Sequence, residues 1–168
     1  MIWEIISVLA FLLVMYLGKR FKTLLLGEFI IGFLWGLYWE FSASPLFLYK
    51  GFTIWIYDVP LAILILWGVV VAGFILISNL LRTYLGFETL TGRLLCDVLV
   101  AGTLGTVMEY VGSHQLGMWT YPTGTVLHPI LDVPTAWVQG WWITVGLLIT
   151  TFARVYDKIF EKEIYALA

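Results

Sequence analysis

The sequence has very little charge. Only 12% of its 168 residues are Asp, Glu, Lys or Arg, whereas 61% are hydrophobic and the mean hydropathy is +0.96. An average soluble domain has about twice that share of charged residues, so this composition excludes the soluble classes. The net charge is −2 and the chain has no run of basic residues, which excludes a nucleic-acid-binding surface.

Cysteine and the common catalytic motifs are also missing. Cys96 is the single cysteine, which excludes a disulfide within the chain. The motifs HExxH, GxxxxGK[ST], GxGxxG, GxSxG and CxxC do not occur. No Lys lies inside a hydrophobic segment, which excludes a Schiff-base chromophore. We therefore expect neither a cofactor nor a metal centre.

The chain is rich in long hydrophobic segments. Residues 59–81 and 133–153 carry no charge, and each is long enough to cross a hydrocarbon core of about 30 Å as a helix. The segment at the N-terminus has no basic residue before its apolar run and no cleavage site, so we interpret it as a helix rather than a signal peptide. The sequence predicts a single-domain, all-α membrane protein with five transmembrane helices, at residues 3–18, 24–43, 60–81, 93–112 and 134–153.

The basic residues predict the orientation of these helices. Five spans put eight of the nine Lys and Arg residues on one side, and only Lys50 on the other. The positive-inside rule then predicts an integral protein of the cell membrane with its N-terminus outside and its C-terminus in the cytoplasm. Residues 154–165 alternate charged and apolar side chains, which is typical of an amphipathic helix on the membrane surface. The eight residues are Lys19, Arg20, Lys22, Arg82, Arg93, Arg154, Lys158 and Lys162.

An internal repeat organises the sequence. DVPLA at 58–62 returns as DVPTA at 132–136, and a Trp follows each Pro by seven residues, at Trp67 and Trp141. Upstream, an offset of 69 residues aligns two acids, a glycine and a serine with their counterparts. Such a repeat indicates an architecture built from two similar units. The aligned pairs are Glu28 with Asp97, Gly36 with Gly105, Glu40 with Glu109 and Ser44 with Ser113.

This repeat predicts a tandem pair of two-helix units, over about 24–81 and 93–153. Because each unit has an even number of spans, the second enters the membrane in the same direction as the first. We expect a pseudo-two-fold axis along the membrane normal, as in other parallel repeats. The N-terminal helix has no counterpart and is expected on the outside of the other four.

Glu40 and Glu109 are the first catalytic candidates. A carboxylate inside a membrane is costly unless it is paired or hydrated, and such residues usually mark a functional site. The predicted symmetry brings the two together, where they can form a proton donor beside a proton acceptor. The alternative is a structural Glu that reaches water or a Trp or Tyr side chain near the headgroups.

The loops that follow these acids supply further candidates. Asp58 and Asp132 either cap the next helix, with Pro in its first turn, or join the Glu pair as a four-carboxylate cluster. His114 and His128 lie in the second, longer loop, where His114 can act as a general acid or base beside Glu109. The two histidines with Glu109 and Asp132 could also form a metal site, although their spacing matches no metal motif.

Four elements of the second repeat carry a family resemblance. They are EYVG from Glu109, LGMWTY at 116–121, DVP at 132–134 and Trp137. This pattern resembles the integral membrane carotenoid-biosynthesis family that includes the bisanhydrobacterioruberin hydratases, and it is similar to the integral membrane lycopene cyclases, over residues 105–142. The resemblance implies a long isoprenoid substrate and acid-catalysed hydration or cyclisation at a double bond, the work of a lyase or an isomerase.

With that chemistry, aromatic rings near the acids would bind the polyene and stabilise a cation through their π-systems. The expected partners are a lipid-soluble small molecule and membrane lipids, with a second copy of the chain or a larger membrane complex as further possibilities. A proton- or cation-coupled transporter or channel and a scaffolding subunit are the alternatives. The uncharged stretches 29–39 and 98–108 weigh against a continuous polar path. The substrate-binding candidates are Trp119, Tyr121, His128, Trp137 and Trp141.

Overall fold

The computed structural model is mostly helical, and it describes residues 1–21, 25–43, 47–87, 89–134, 141–149, 151–152 and 155. Within these residues, three helices are long and apolar enough to cross a membrane. These three helices support the prediction of a membrane protein. The three candidate spans are Ile2–Arg20, Leu61–Leu85 and Leu90–Gln115.

The elements lie close to the predicted boundaries in the first four segments. In chain order they are α1 (Ile2–Arg20), α2 (Leu26–Ala43), β1 (Leu48–Tyr49), β2 (Trp55–Ile56), β3 (Val59–Pro60), α3 (Leu61–Leu85), α4 (Leu90–Tyr110), a π-helical turn (Val111–Gln115), β4 (Trp119–Thr120), and α5 (Trp142–Thr144) with a second π-helical turn (Val145–Ile149). The four short strands were not predicted. The segments predicted at 134–153 and 154–165 fall partly or almost wholly outside the described residues.

Helix α3 is the centre of the bundle, and α1, α2 and α4 all pack against it. Its sequence is apolar on every face, as expected for a helix buried by neighbours on several sides. It ends at Gly86, whose φ of 69° is a left-handed cap that glycine adopts at no steric cost. Helix α4 then begins after Thr89, whose side chain accepts a hydrogen bond of 3.1 Å from the Gly92 amide.

Helix α1 lies at the edge of the bundle. Ser7 and Gly18 are its only buried residues, and most of its exposed side chains are aliphatic. The Glu4 carboxylate accepts the Thr53 and Ile54 amides at 2.6 and 3.0 Å. The start of α1 therefore lies at the same end of the bundle as residues 47–60 and 111–134, and we call this the loop end.

Helix α2 has its polar and apolar faces inverted relative to a soluble helix. Glu28 and Glu40 are buried, at 0% and 3% exposure. The exposed face is an apolar stripe at helical spacing. The members of the stripe are Leu26, Ile30, Leu34, Tyr38 and Phe41.

Close backbone approach holds the helices together at small residues. A Cβ added to Gly36 would lie 2.4 Å from the Trp67 ring, and one added to Gly105 would lie 2.2 Å from the Trp142 ring. At Gly102, by contrast, the nearest atom would be 3.8 Å away. Gly36 and Gly105 are therefore packing positions, whereas Gly102 is not crowded.

The packing corrects one pairing from the sequence. The alignment matched Trp67 with Trp141, but Trp142 is the residue that packs on Gly105 as Trp67 packs on Gly36. Trp141 has π-helical geometry. A π-helical turn carries an extra residue, which accounts for a register shift of one.

The two loops are joined to each other. Strands β1 and β4 pair antiparallel, with Leu48 opposite Thr120 and Tyr49 opposite Trp119. The Lys50 amide extends this pairing to the Met118 carbonyl at 2.8 Å. The pair fixes the side chains of both loops over the same end of the bundle.

The prediction that Asp58 caps α3 is wrong. Pro60 occupies the cap position and no side chain bonds to the free amides there. Strand β3 pairs with β2, and the Leu61 amide donates to the Ile54 carbonyl at 3.0 Å. Because the hairpin backbone satisfies the start of the helix, Asp58 is left exposed in the connecting turn.

Candidate functional site

A pocket of about 80 Å³ lies at the loop end, between α2, α3, α4 and the two loops. Its walls are almost entirely aromatic or aliphatic, and Glu40 and Glu109 are the acids among the described residues that line it. Pockets of this kind, apolar with a few converging polar groups, are the usual form of a small-molecule site. The lining residues are Trp39, Glu40, Phe47, Tyr49, Ile63, Leu66, Trp67, Val70, Met108, Glu109, Trp119, Trp141 and Trp142.

Glu40 is held by one tyrosine and one tryptophan. The Trp67 indole N–H donates to its Oε1 at 2.7 Å, and the Tyr49 hydroxyl donates to its Oε2. Trp67 comes from the core of α3, and Tyr49 comes from β1. A buried carboxylate needs such donors, because an unpaired one would be very costly.

Glu109 has the same kind of surroundings, built from the second half of the chain. The Tyr121 hydroxyl donates to its Oε2 at 2.9 Å, and the Trp119 indole donates to the Tyr121 oxygen at 3.3 Å. The Trp142 indole N–H lies close to this carboxylate and has no hydrogen-bond partner among the described residues. The side chains of Glu109 and Trp142 are buried, at 7% and 4% exposure.

The π-helical turn after α4 explains how Trp119 reaches the pocket. The Leu116 amide donates to the Val111 carbonyl at 2.9 Å, and the Met118 amide then donates back to the Gly112 carbonyl at 2.8 Å. This wide turn folds the chain over the end of α4. The Trp119 ring rests on Gly112, where an added Cβ would come within 2.0 Å of it.

The two tyrosines are neutral donors. Burial raises the pKa of the Tyr49 hydroxyl above its ordinary value, and the nearby Glu40 carboxylate raises it further. Burial and the Glu109 carboxylate raise the pKa of Tyr121 in the same way. Both hydroxyls therefore keep their protons over the physiological range and donate them to the acids.

A second, larger cavity of about 550 Å³ shares Trp119 with the first pocket, and its lining is rich in hydroxyl groups. His114 faces this cavity. Its Nε2 lies 3.3 Å from Asp132 Oδ2, its Nδ1 lies 2.7 Å from Ser113 Oγ, and its ring stacks on Tyr110 at 5.1 Å. The lining residues are Ser113, His114, Trp119, Thr120, Tyr121, Pro122, Thr123, Gly124, Thr125, Leu127 and Asp132.

The structure separates several candidates that the sequence had grouped. Asp58 and Asp132 are exposed and do not line the pocket that holds the two Glu residues, so the four-carboxylate cluster is wrong. His128 Nδ1 accepts the Ile130 and Leu131 amides at 3.2 and 3.3 Å, which ties it to its own turn. It is thus a loop-forming residue and lines neither cavity.

The candidate metal site and two of the predicted substrate-binding tryptophans are the remaining cases. No three His, Cys, Asp or Glu side chains come together as metal ligands in the part of the chain that the structure describes. Trp137 lies outside the described residues. Trp141 lines the pocket and stacks on Trp39 with ring centroids 3.7 Å apart.

Sequence reasoning missed four residues of the site. Tyr49, Trp67 and Trp142 bond to or lie against the acids, and Ser113 links His114 to the end of α4. A signal was available: in the two repeats a Tyr lies 9 or 12 residues after the membrane Glu, and a Trp lies seven or eight residues after the Pro of the repeated DVP element. The two Trp rings also stack on each other, with centroids 5.6 Å apart.

Comparisons with known proteins add no identity. No protein-family model, no curated protein and no solved structure matches the chain.

Proposed function

We propose that this protein is an integral membrane enzyme that hydrates or cyclises an isoprenoid-type lipid, with Glu109 as the acid and Glu40 as the base. The observation that carries the proposal is the pairing of two buried carboxyl groups on one aromatic pocket. A polyene partitions into the bilayer, and the apolar walls of the pocket match it in polarity. A pocket of about 80 Å³ holds only the reacting segment of such a chain. The weak resemblance to carotenoid-biosynthesis enzymes is compatible with this substrate class.

The proposed chemistry begins with proton transfer. The Glu109 carboxylic acid gives its proton to one carbon of a C=C bond, whose π electrons form the new C–H bond and leave the neighbouring carbon as a cation. In hydration, a water molecule adds its oxygen to that cation and loses a proton to the Glu40 carboxylate. The product is an alcohol one water heavier than the substrate, and nothing is oxidised or reduced.

Cyclisation would differ only in the second step. A second double bond of the substrate supplies the electron pair that forms the ring, and Glu40 takes a proton from the carbon next to the new cation. The Trp faces that line the pocket favour positive charge, since their π-systems attract cations. Acid–base catalysis of this type contributes about 10²–10⁴-fold to a rate.

We also propose the five-span architecture with tandem repeats. Its support is the recurrence of equivalent contacts: Glu40 is bonded by a loop Tyr and a helix Trp, and Glu109 is bonded by a loop Tyr and lies against a helix Trp. The antiparallel β1–β4 pair is what a two-fold axis between the loops would produce. The apolar stripe on α2 supports a lipid-facing helix there, although α2 is not one of the three hydropathy-defined spans.

The orientation is part of the same proposal. Lys19 and Arg20 end α1 and Arg82 lies in the last turn of α3, at the end of the bundle opposite the loops. The positive-inside rule then puts that end in the cytoplasm and the pocket toward the outer face.

The test has a binding arm and a turnover arm. Native mass spectrometry of the purified protein should find a co-purifying lipid of isoprenoid type. Membranes containing the protein, incubated with lycopene as the probe, should yield a product that is one water heavier or an isomer of equal mass. Glu109→Gln should abolish that product, and Glu40→Gln should reduce it by about 10²-fold or more, as expected for loss of a general base.

Asp58→Asn is the matched control, because Asp58 is an exposed acid outside the pocket, and it should leave turnover unchanged. Full product formation by Glu109→Gln would rule out acid chemistry at this pocket. It would leave transport or scaffolding as the better account.

A further inference from the structure

Glu109 stands at the inner end of a line of polar side chains that starts in the hydroxyl-lined cavity. Asp132 Oδ2 is 3.3 Å from His114 Nε2, His114 Nδ1 is 2.7 Å from Ser113 Oγ, and the Tyr121 hydroxyl is 2.9 Å from Glu109 Oε2. Ser113 and Tyr121 both line that cavity, where one water molecule between their hydroxyls would join the two halves. We propose that this line is a proton relay that recharges Glu109 from the water at the loop end.

The relay rests on the proposed function in one respect, namely that Glu109 loses a proton in each turnover and must regain it. The apolar pocket is a poor source of protons. The relay runs from wet to dry: the Asp132 and His114 side chains are 69% and 29% exposed, whereas Glu109 is 7% exposed. Each intermediate group can both give and take a proton, as a relay requires.

The proton movements balance along this line. His114 takes a proton at Nε2, the nitrogen that faces Asp132 and the outer cavity, and gives one from Nδ1 to Ser113. Ser113 passes its own proton to the bridging water, the water passes one to the Tyr121 oxygen, and Tyr121 passes its own to Glu109. Each hydroxyl ends with the single proton that it had at the start. His114 returns to its first tautomer when its Nε2 gives a proton to water in the cavity and its Nδ1, with the ring turned outward, takes one from water. The net change is one proton moved from the cavity to Glu109.

The first repeat provides an internal control. Glu40 is bonded by Tyr49 just as Glu109 is bonded by Tyr121. At the aligned position of His114, however, the first repeat has Pro45, which carries no proton. The sequence thus gives the histidine to the repeat of the acid alone, and the base has to release protons rather than collect them.

The groups around His114 are suited to this role. Asp132 faces one ring nitrogen and Ser113 the other, while Tyr110 stacks on the ring face. The Ser113 hydroxyl also lies 2.7 Å from the Glu109 backbone carbonyl, so it is held at the end of α4 beside the acid. The imidazole is thus aimed along the line with both of its nitrogens engaged.

The test follows the Glu109 proton without any substrate. Infrared spectra of the protein in nanodiscs, with and without Glu109→Gln, assign the carboxylic C=O band of Glu109. A switch from H₂O to D₂O then shifts that band at the rate at which its proton exchanges. We expect His114→Ala and Tyr121→Phe to slow this exchange by about 10²-fold or more, the lower end of the effect of positioned proton-transfer groups. Tyr57→Phe, at an exposed tyrosine of the loop end that lines neither cavity, should leave it at the wild-type rate.

Added imidazole should restore exchange in His114→Ala and not in Tyr121→Phe, which a merely structural loss would not do. Wild-type exchange rates in both relay variants would overturn the proposal, as would equal slowing by Tyr57→Phe or the lack of any band that Glu109→Gln removes. Lycopene turnover is scored separately. If the relay variants slow the exchange but the wild-type protein does not convert lycopene, the result counts against the proposed reaction alone. Conversion with unchanged exchange counts against the relay alone.

Discussion

Replacing Gly105 with Ala tests the helix packing that builds the pocket. The new methyl group would lie 2.2 Å from the Trp142 ring, closer than real side chains come, so Trp142 or α4 must shift. Overpacking of this kind costs about 1–3 kcal/mol. Glycine to alanine in a helix also gains about 1 kcal/mol from helix propensity, which would hide part of the cost.

Gly102→Ala in the same helix removes that ambiguity. Its methyl group would have its nearest neighbour at 3.8 Å, an ordinary contact, so it gains the same propensity without the clash. The difference in unfolding free energy between the two variants therefore isolates the packing cost. We expect Gly105→Ala to be less stable than Gly102→Ala by about 1–3 kcal/mol.

The chain contains its own reporter for this measurement. Cys96 is the single cysteine, lies in α4 and is fully buried. When labelling is slow relative to reclosing, its reaction with a maleimide in detergent follows the population of the open state. The expected difference corresponds to labelling about 5- to 150-fold faster in Gly105→Ala than in Gly102→Ala. Equal labelling rates, or slower labelling in Gly105→Ala, would refute the packing of Trp142 on α4.

The tyrosines and the basic residues give two further predictions. The raised pKa values of Tyr49 and Tyr121 mean that these two tyrosines stay neutral above about pH 10, where a tyrosine of ordinary pKa ionises. Their share of stability is therefore present below about pH 10 and is lost as pH rises above it. In an alkaline absorbance titration, part of the tyrosine absorbance change should therefore appear only well above about pH 10. The double variant Tyr49→Phe, Tyr121→Phe should lack that part. A single transition in the wild type would contradict the burial of both tyrosines. Reporter fusions should locate the C-terminus in the cytoplasm, and an external signal from that fusion would contradict the orientation derived from the basic residues.

The sequence by itself determined the membrane character and most helix positions. The charge-free run at 59–81 needs an apolar solvent whatever it packs against, and α3 spans Leu61–Leu85. Helix α1 likewise agrees with its prediction to within two residues at each end. The repeat pointed to Glu40 and Glu109, because an acid that recurs in an apolar segment is visible without any knowledge of contacts.

Tertiary structure alone decided which groups surround those acids. Tyr49 and Trp119 are far apart in the chain and become neighbours through the register of β1 and β4. The sequence suggested Asp58 as the cap of α3, yet a backbone hairpin satisfies the start of that helix instead. Hydropathy records the solvent that each residue prefers, one residue at a time. A hydrogen bond needs its donor and acceptor to lie within a few tenths of an ångström of about 2.9 Å from each other. Only the packed fold sets such distances between segments.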